Sequence, residues 1–151
     1  MKAEDIAIIA VKRSNSPFFL RANQCVVRNV SWGLFSWGEA DIIALTKSFY
    51  LIEGEIKISK SDLLADRKKL KFLHERTTID HSHWKQDIKA FYYIVPTAIV
   101  EQAMLLSYGV IEVDGDKLKV HRKSPIHKEA KKLPDKQVYN LMRLGCMKAW
   151  R

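Results

Sequence analysis

Two apolar runs, "ADIIAL" and "FYLIEGEIKI", are separated by Thr46 and the short polar turn of Lys47 and Ser48. A strand with one wet face alternates apolar and polar residues, whereas these runs are apolar on both faces in places, the mark of strands covered on both sides. The pair therefore predicts a β-hairpin inside a layered α/β structure, with Ala40 to Thr46 going up and Phe49 to Ser59 coming back. Within it sit Asp41, Glu53, Glu55 and Lys57. Charges in strands covered on both faces are costly unless paired or used, so these residues call for an explanation.

The rest of the chain fits the same class. Ile6, Ile9 and Ala10 recur at helical spacing and predict a helix from Ala3 to Lys12, ended by the turn "SNSP". "QCVVRNV" reads as a strand and "SWGLFSWGE" as a loop. "KSDLLADRKKLKFLHE" reads as a helix with Ser61 or Asp62 as N-cap, and "RTTIDHSHWKQD" as irregular. "AFYYIV" is a strand stopped by Pro96, "TAIVEQAMLLSYG" a short helix ended by Gly109, and "VIEVDGDKLKVHRK" a hairpin around Asp114-Gly115. "DKQVYNLMRLGCMKAW" closes with a helix. A chain of 151 residues supports one domain, 1–151.

Composition excludes some functions and favours others. No apolar run approaches the roughly 20 residues of a membrane helix, and the opening "MKAEDIAIIAVKR" lacks the features of a secretory signal, so a cytoplasmic protein with no membrane partner is expected. Cys25 and Cys146 form no CxxC pair, which argues against a disulfide framework or a zinc knuckle and for buried packing. The net charge of +9 favours polyanionic partners. Acidic residues gather around Glu39 to Glu55, while "DRKKLKFLHER" and "KLKVHRKSPIHKEAKK" are basic, a pattern suited to an enzyme that holds a metal against a polyphosphate.

Alternation puts Glu39 and Asp41 on one face of the first hairpin strand, and Glu53, Glu55 and Lys57 on one face of the second. Carboxylates on adjacent strands, with the main-chain carbonyl of Ile56, form an oxygen-rich cage of the kind that Mg²⁺ (or Mn²⁺) takes. Lys57 would stand beside a metal-activated water, to orient it or to stabilise developing negative charge. A cross-strand ion-pair network would use the same residues without chemistry. Glu39 and Glu53 are in phase with the other acids, either supporting them or facing solvent.

Asp41 followed by Glu55-Ile56-Lys57, set in the order helix, strand, hairpin, "EIKISKSDLLADRKK", "AFYYIVP", helix and "YGVIEVD…VHRKSP", resembles the PD-(D/E)XK nuclease superfamily, in particular its small MmcB-like and phage-encoded branch. The likeness runs from Glu4 to about His127, and Ala40 stands where the superfamily usually has proline. It implies a restriction-endonuclease-like α/β core, a mixed central sheet flanked by helices, with Asp41 and Glu55 as metal ligands, Lys57 as the catalytic lysine and Glu4 as a further acid from the first helix. The implied activity is that of a Mg²⁺-dependent deoxyribonuclease in repair, recombination or phage genome processing. A binding module without turnover and a nuclease acting on RNA are the alternatives, and a homodimer is compatible with either.

Arg67, Lys68, Lys69, Lys85, Arg122 and Lys123 are the residues expected to meet phosphates. His81 and His83 lack a third ligand at zinc spacing and read as an extended loop bordering the cleft, where Trp84 would stack on a base or anchor the core. His127 has no role legible in the sequence.

Overall fold

A computed structural model describes residues 1–31, 39–66 and 87–149 of the chain. It is an α/β structure: a mixed six-stranded sheet in strictly sequential order, β1-β2-β3-β4-β5-β6, flanked by helices on both faces, consistent with a restriction-endonuclease-like core. The strands are β1 (Cys25–Val30), β2 (Ala40–Leu45), β3 (Leu51–Ile56), β4 (Ile88–Pro96), β5 (Gly109–Asp114) and β6 (Lys117–Arg122). Pairings are antiparallel except β3 with β4 and β4 with β5, which are parallel. Among the described residues no helix is long and apolar enough to cross a membrane.

Helix α1 (Ala3–Lys12) forms where the apolar spacing predicts it, and Asp5 accepts a 3.0 Å bond from the main-chain N–H of Lys2 to close its first turn. Its buried Ile6, Ala7 and Ala10 lie on the sheet face carrying Ile42, Ala44, Ile56, Ala90, Tyr92 and Ile94. The chain then folds Phe18 onto the same face over Gly54, where a Cβ would come within 2.8 Å of the Phe18 ring. A glycine between Glu53 and Glu55 is therefore what lets the core close behind the strand that carries the acids.

The opposite face holds Ile43, Leu45, Leu51, Phe91, Tyr93 and Val95 under helices α2 (Lys60–Ala65), α3 (Val100–Met104) and α4 (Asp135–Ala149). Three expectations shift. The N-cap of α2 is Ser59, whose hydroxyl accepts from Asp62 N–H at 3.2 Å, not Ser61 or Asp62. Helix α3 stops at Met104, and Gly109 opens β5, where a Cβ would lie 2.4 Å from the ring of Tyr92. Cys25 is half-buried and Cys146 exposed, so the second is no packing residue.

Segment 123–128 completes the sheet at the start of β4, before β5 begins to pair. Ser124 Oγ accepts from Phe91 N–H at 2.9 Å, His127 N–H donates to Lys89 O at 2.9 Å, and His127 Nδ1 lies 2.6 Å from Ile88 O. Buried main-chain groups need such partners, and this gives His127 a structural role.

Candidate active site

The hairpin register pairs Ile42 with Gly54 and Ile43 with Glu53, so Asp41 stands opposite Glu55 on the face turned away from α1. The ladder does not continue past that point with main-chain bonds alone. Asp41 Oδ2 accepts the N–H of Ile56 at 2.7 Å, inserting a carboxylate where the strand partner would be. The N–H and C=O of one strand residue project to the same side, so the carbonyl of Ile56 opens toward Asp41 as well.

Strand β1 bends beside this opening. Arg28 pairs with Ile42 and Val30 with Ala40, leaving Asn29 between them at φ 52, a left-handed conformation few non-glycine residues adopt. Asn29, Val30, Ser31, Glu39, Ala40 and Asp41 line a recess of about 160 Å³. Glu39 is exposed on its rim.

Burial is nearly complete along β3 and at the residue after it. Glu53, Glu55 and Lys57 are 0%, 2% and 5% exposed, so these charges are interior groups and not a solvated stripe. Lys57 Nζ lies 3.7 Å from Glu55 Oε2 and 2.7 Å from Asp66 Oδ1. Asp66, just past α2 and buried, also accepts from the hydroxyl of Tyr93 at 3.1 Å. The Tyr93 ring is set edge-on to Phe91 and Tyr108, with centroids 5.1 and 6.0 Å away. A buried polar line thus runs from Tyr93 through Asp66, Lys57 and Glu55 to Asp41.

Asp66 and Tyr93 are the members of this line that sequence reasoning missed. The available signal was position: Asp66 follows the buried Leu63 by three residues, on the same side of a helical turn, and Tyr93 shares strand phase with Phe91 and Val95.

The electrostatics show what the line lacks. Burial, then the charge of Glu55 and a hydrogen bond with it, push the Asp41 carboxyl up to about 7, although the Ile56 N–H and Lys57 pull the other way. The hydroxyl of Tyr93 is raised well above the usual phenol range by burial and then by Asp66. Three carboxyl groups, Asp41, Glu55 and Asp66, share the single ammonium of Lys57 in this line. Added positive charge between Asp41 and Glu55 would relieve the deficit.

Among the described residues no group of three or more His, Cys, Asp or Glu side chains is arranged to hold a metal ion. A cation here would have two carboxylates and the Ile56 carbonyl, all hard oxygen donors, with the remaining positions left to water and substrate. That is the habit of Mg²⁺ and Mn²⁺, so the donor set fits.

Other expected residues fall elsewhere. Glu4 is exposed on α1, which packs on the opposite face of the sheet, so the structure does not bring it to Asp41 and Glu55. Arg122 is an internal brace: Nε donates to Tyr108 O at 2.8 Å, Nη1 to Met104 O at 3.0 Å, and Nη2 to Leu106 O. Three of its five N–H donors thus close the α3–β5 loop, a structural task that its place in a basic block did not announce. Lys123 is exposed. Arg67, Lys68, Lys69 and Lys85, with His81, His83 and Trp84, lie outside the described residues.

No protein-family model matches the chain, and no curated protein matches it. Among solved structures it is similar to SPO1766, a protein of unknown function from Silicibacter pomeroyi, with a TM-score of 0.63 and 17% sequence identity over 100% of this chain and 88% of that one. At that identity the likeness is one of fold.

Proposed function

We propose that the protein is a divalent-metal-dependent nuclease that hydrolyses phosphodiester bonds in DNA, a cytoplasmic enzyme of repair, recombination or phage genome processing. One observation carries this reading: Asp41 and Glu55 face each other where the β2–β3 ladder opens, and burial first, then the charge of Glu55, pushes the Asp41 carboxyl up to about 7. The resemblance of Asp41 and Glu55-Ile56-Lys57 to the PD-(D/E)XK pattern supports it, as does the net charge of +9.

Asp41, Glu55 and the carbonyl of Ile56 would hold Mg²⁺ or Mn²⁺. When bound, the cation supplies charge neutralisation at the phosphate and lowers the pKa of a water. The chain's own groups do the remaining work. The Ile56 N–H fixes the carboxylate of Asp41, and Asp66 holds the Lys57 ammonium beside Glu55, where it stabilises negative charge developing on the phosphate. Burial strengthens that interaction because little water screens it.

The test is cleavage of single-stranded, duplex, flap and four-way DNA with added Mg²⁺ or Mn²⁺, compared with Asp41→Ala and Glu55→Ala. Both variants should bind DNA and fail to cut it. Cleavage undiminished in EDTA would sink the assignment, and DNA binding without turnover by the wild type would favour a binding module of the same fold.

A further inference from the structure

The two cysteines stand near opposite ends of the sequence, yet the fold brings their elements together. Cys25 opens β1, and Cys146 lies in the last turn and a half of α4, which packs on β1. The contact is close because of Gly145. A Cβ there would lie 3.1 Å from Val27 Cγ2 and 3.7 Å from the Sγ of Cys25, so the helix backbone rests on the strand at the thiol. The next residue along the helix is Cys146.

We propose that Cys25 and Cys146 are an oxidisable thiol pair that closes to an intramolecular disulfide and ties α4 to β1. Both are free thiols, one half-buried and one exposed, which fits a division of labour between a resolving and an attacking cysteine. The Cys25 thiol is raised above its ordinary value by burial and then by the charge of Cys146, as expected of two sulfurs near enough to interact. A cavity of about 430 Å³ lined by Val26, Val27, Arg28, Gly145 and Lys148 runs along the same helix–strand seam, so the seam is not sealed from small reagents.

The oxidant is a low-molecular-weight disulfide. The Cys146 thiolate attacks one of its sulfurs, forms a mixed disulfide and expels one thiolate. Cys25 then gives its proton to solvent and attacks the Cys146 sulfur, expelling the second thiolate. Two protein thiols are oxidised by two electrons in all, and one small disulfide is reduced to two thiols. Burial of Cys25 makes this second step the slower one, and faster as pH rises.

The bond would act on an existing clamp. Two residues beyond Cys146, Lys148 Nζ donates to Arg28 O at 2.9 Å and to Asn29 O, gripping the bend of β1 that stands opposite Asp41. Oxidation would fix the same helix on the same strand, three to four residues earlier along β1.

The full chain is incubated with oxidised glutathione under native conditions and followed by thiol titration and intact mass. The wild type should go from two titratable thiols to none, lose two hydrogens in mass, remain a single chain on non-reducing gels, melt at higher temperature and revert with dithiothreitol. Cys25→Ser should stop at a glutathione adduct on Cys146, and Cys146→Ser should leave Cys25 largely unreacted. A wild type that stops at the Cys146 adduct, or that forms only inter-chain disulfides, overturns the proposal. The readout is thiols and not cleavage, so its failure leaves the nuclease reading untouched.

Discussion

Lys57 Nζ lies 2.7 Å from Asp66 Oδ1, closer than its 3.7 Å approach to Glu55, with both members of the shorter pair buried. The ammonium is thus held more closely by Asp66 than by Glu55. Removing one partner of a buried ion pair strands the other charge, which costs about 3–5 kcal/mol, whereas removing both can be nearly neutral. Asp66→Asn and Lys57→Met should each destabilise the fold in urea unfolding, and the double variant should recover much of the loss. In single-turnover cleavage Lys57→Ala should lose rate with metal affinity, measured by calorimetry, largely kept. Metal affinity lost with rate unchanged would reverse the assigned roles.

The Asp41 carboxyl gives a pH signature in the metal-free protein. Its folded value of about 7 is above the ordinary 3.8, so the folded state binds the proton more tightly than the unfolded one. The sign follows by linkage: this group's contribution is fully present below pH 4 and is lost as pH rises toward and through 7. Asp41→Asn keeps an acceptor for the Ile56 N–H and removes the charge. In chelator at pH 8 it should be more stable than wild type, by roughly 2–4 kcal/mol, and the difference should shrink by pH 5. Adding Mg²⁺ at pH 8 should stabilise the wild type and leave the Asn variant nearly unchanged. These are read from denaturant midpoints at each pH.

Arg122 and Lys123 are neighbours with different jobs, and salt separates them. Arg122→Ala strips three main-chain carbonyls of their donor and should cost about 3 kcal/mol of stability, while leaving the salt dependence of DNA binding alone. Lys123→Ala should leave stability unchanged and, if it meets a phosphate, reduce the log–log salt slope by roughly one. Lys68 and Lys69 changed together should reduce it further. Fluorescence anisotropy on an Asp41→Ala background measures the slope without cleavage.

Gly54 tests how tightly the back of the acidic strand is packed. In Gly54→Ala the new methyl would lie 2.8 Å from Phe18 Cζ and 3.0 Å from Ile94 Cδ1, so the core must shift, at a cost of about 1–3 kcal/mol. Pairing it with Phe18→Leu should recover part of that loss. Thermal unfolding of the two variants and their combination decides it.

What the sequence made legible was what local rules control. Strand alternation placed Asp41, Glu55 and Lys57 on one face, and the turn at Asp114-Gly115 has Gly115 at φ 58, as a tight hairpin requires. Asp66 stayed hidden because it stands at the end of α2 as the first charge of the block Asp66-Arg67-Lys68-Lys69, where a carboxylate reads as solvated, and its partners Lys57 and Tyr93 are distant in sequence. Glu4 misled because nothing local says which face of a sheet a preceding helix will cover. Arg122 looked like one more charge in a basic block, since its carbonyl partners come from a loop 14 to 18 residues earlier. The approach of Gly145 to the Cys25 thiol shows the same limit, because it depends on a helix returning to the first strand.

The strictly sequential strand order also bears on how the chain matures on the ribosome. Each strand finds its partner in the one made just before it, so the sheet can lengthen as synthesis proceeds, with no strand waiting for a later one. The exception is the cover of β1. Val27, Leu45 and the Cys25 thiol keep one side bare until residues 135–149 emerge and dock as α4. The first strand made is the last one shielded, and a nascent chain stalled before Asp135 would present that surface to whatever holds unfinished proteins.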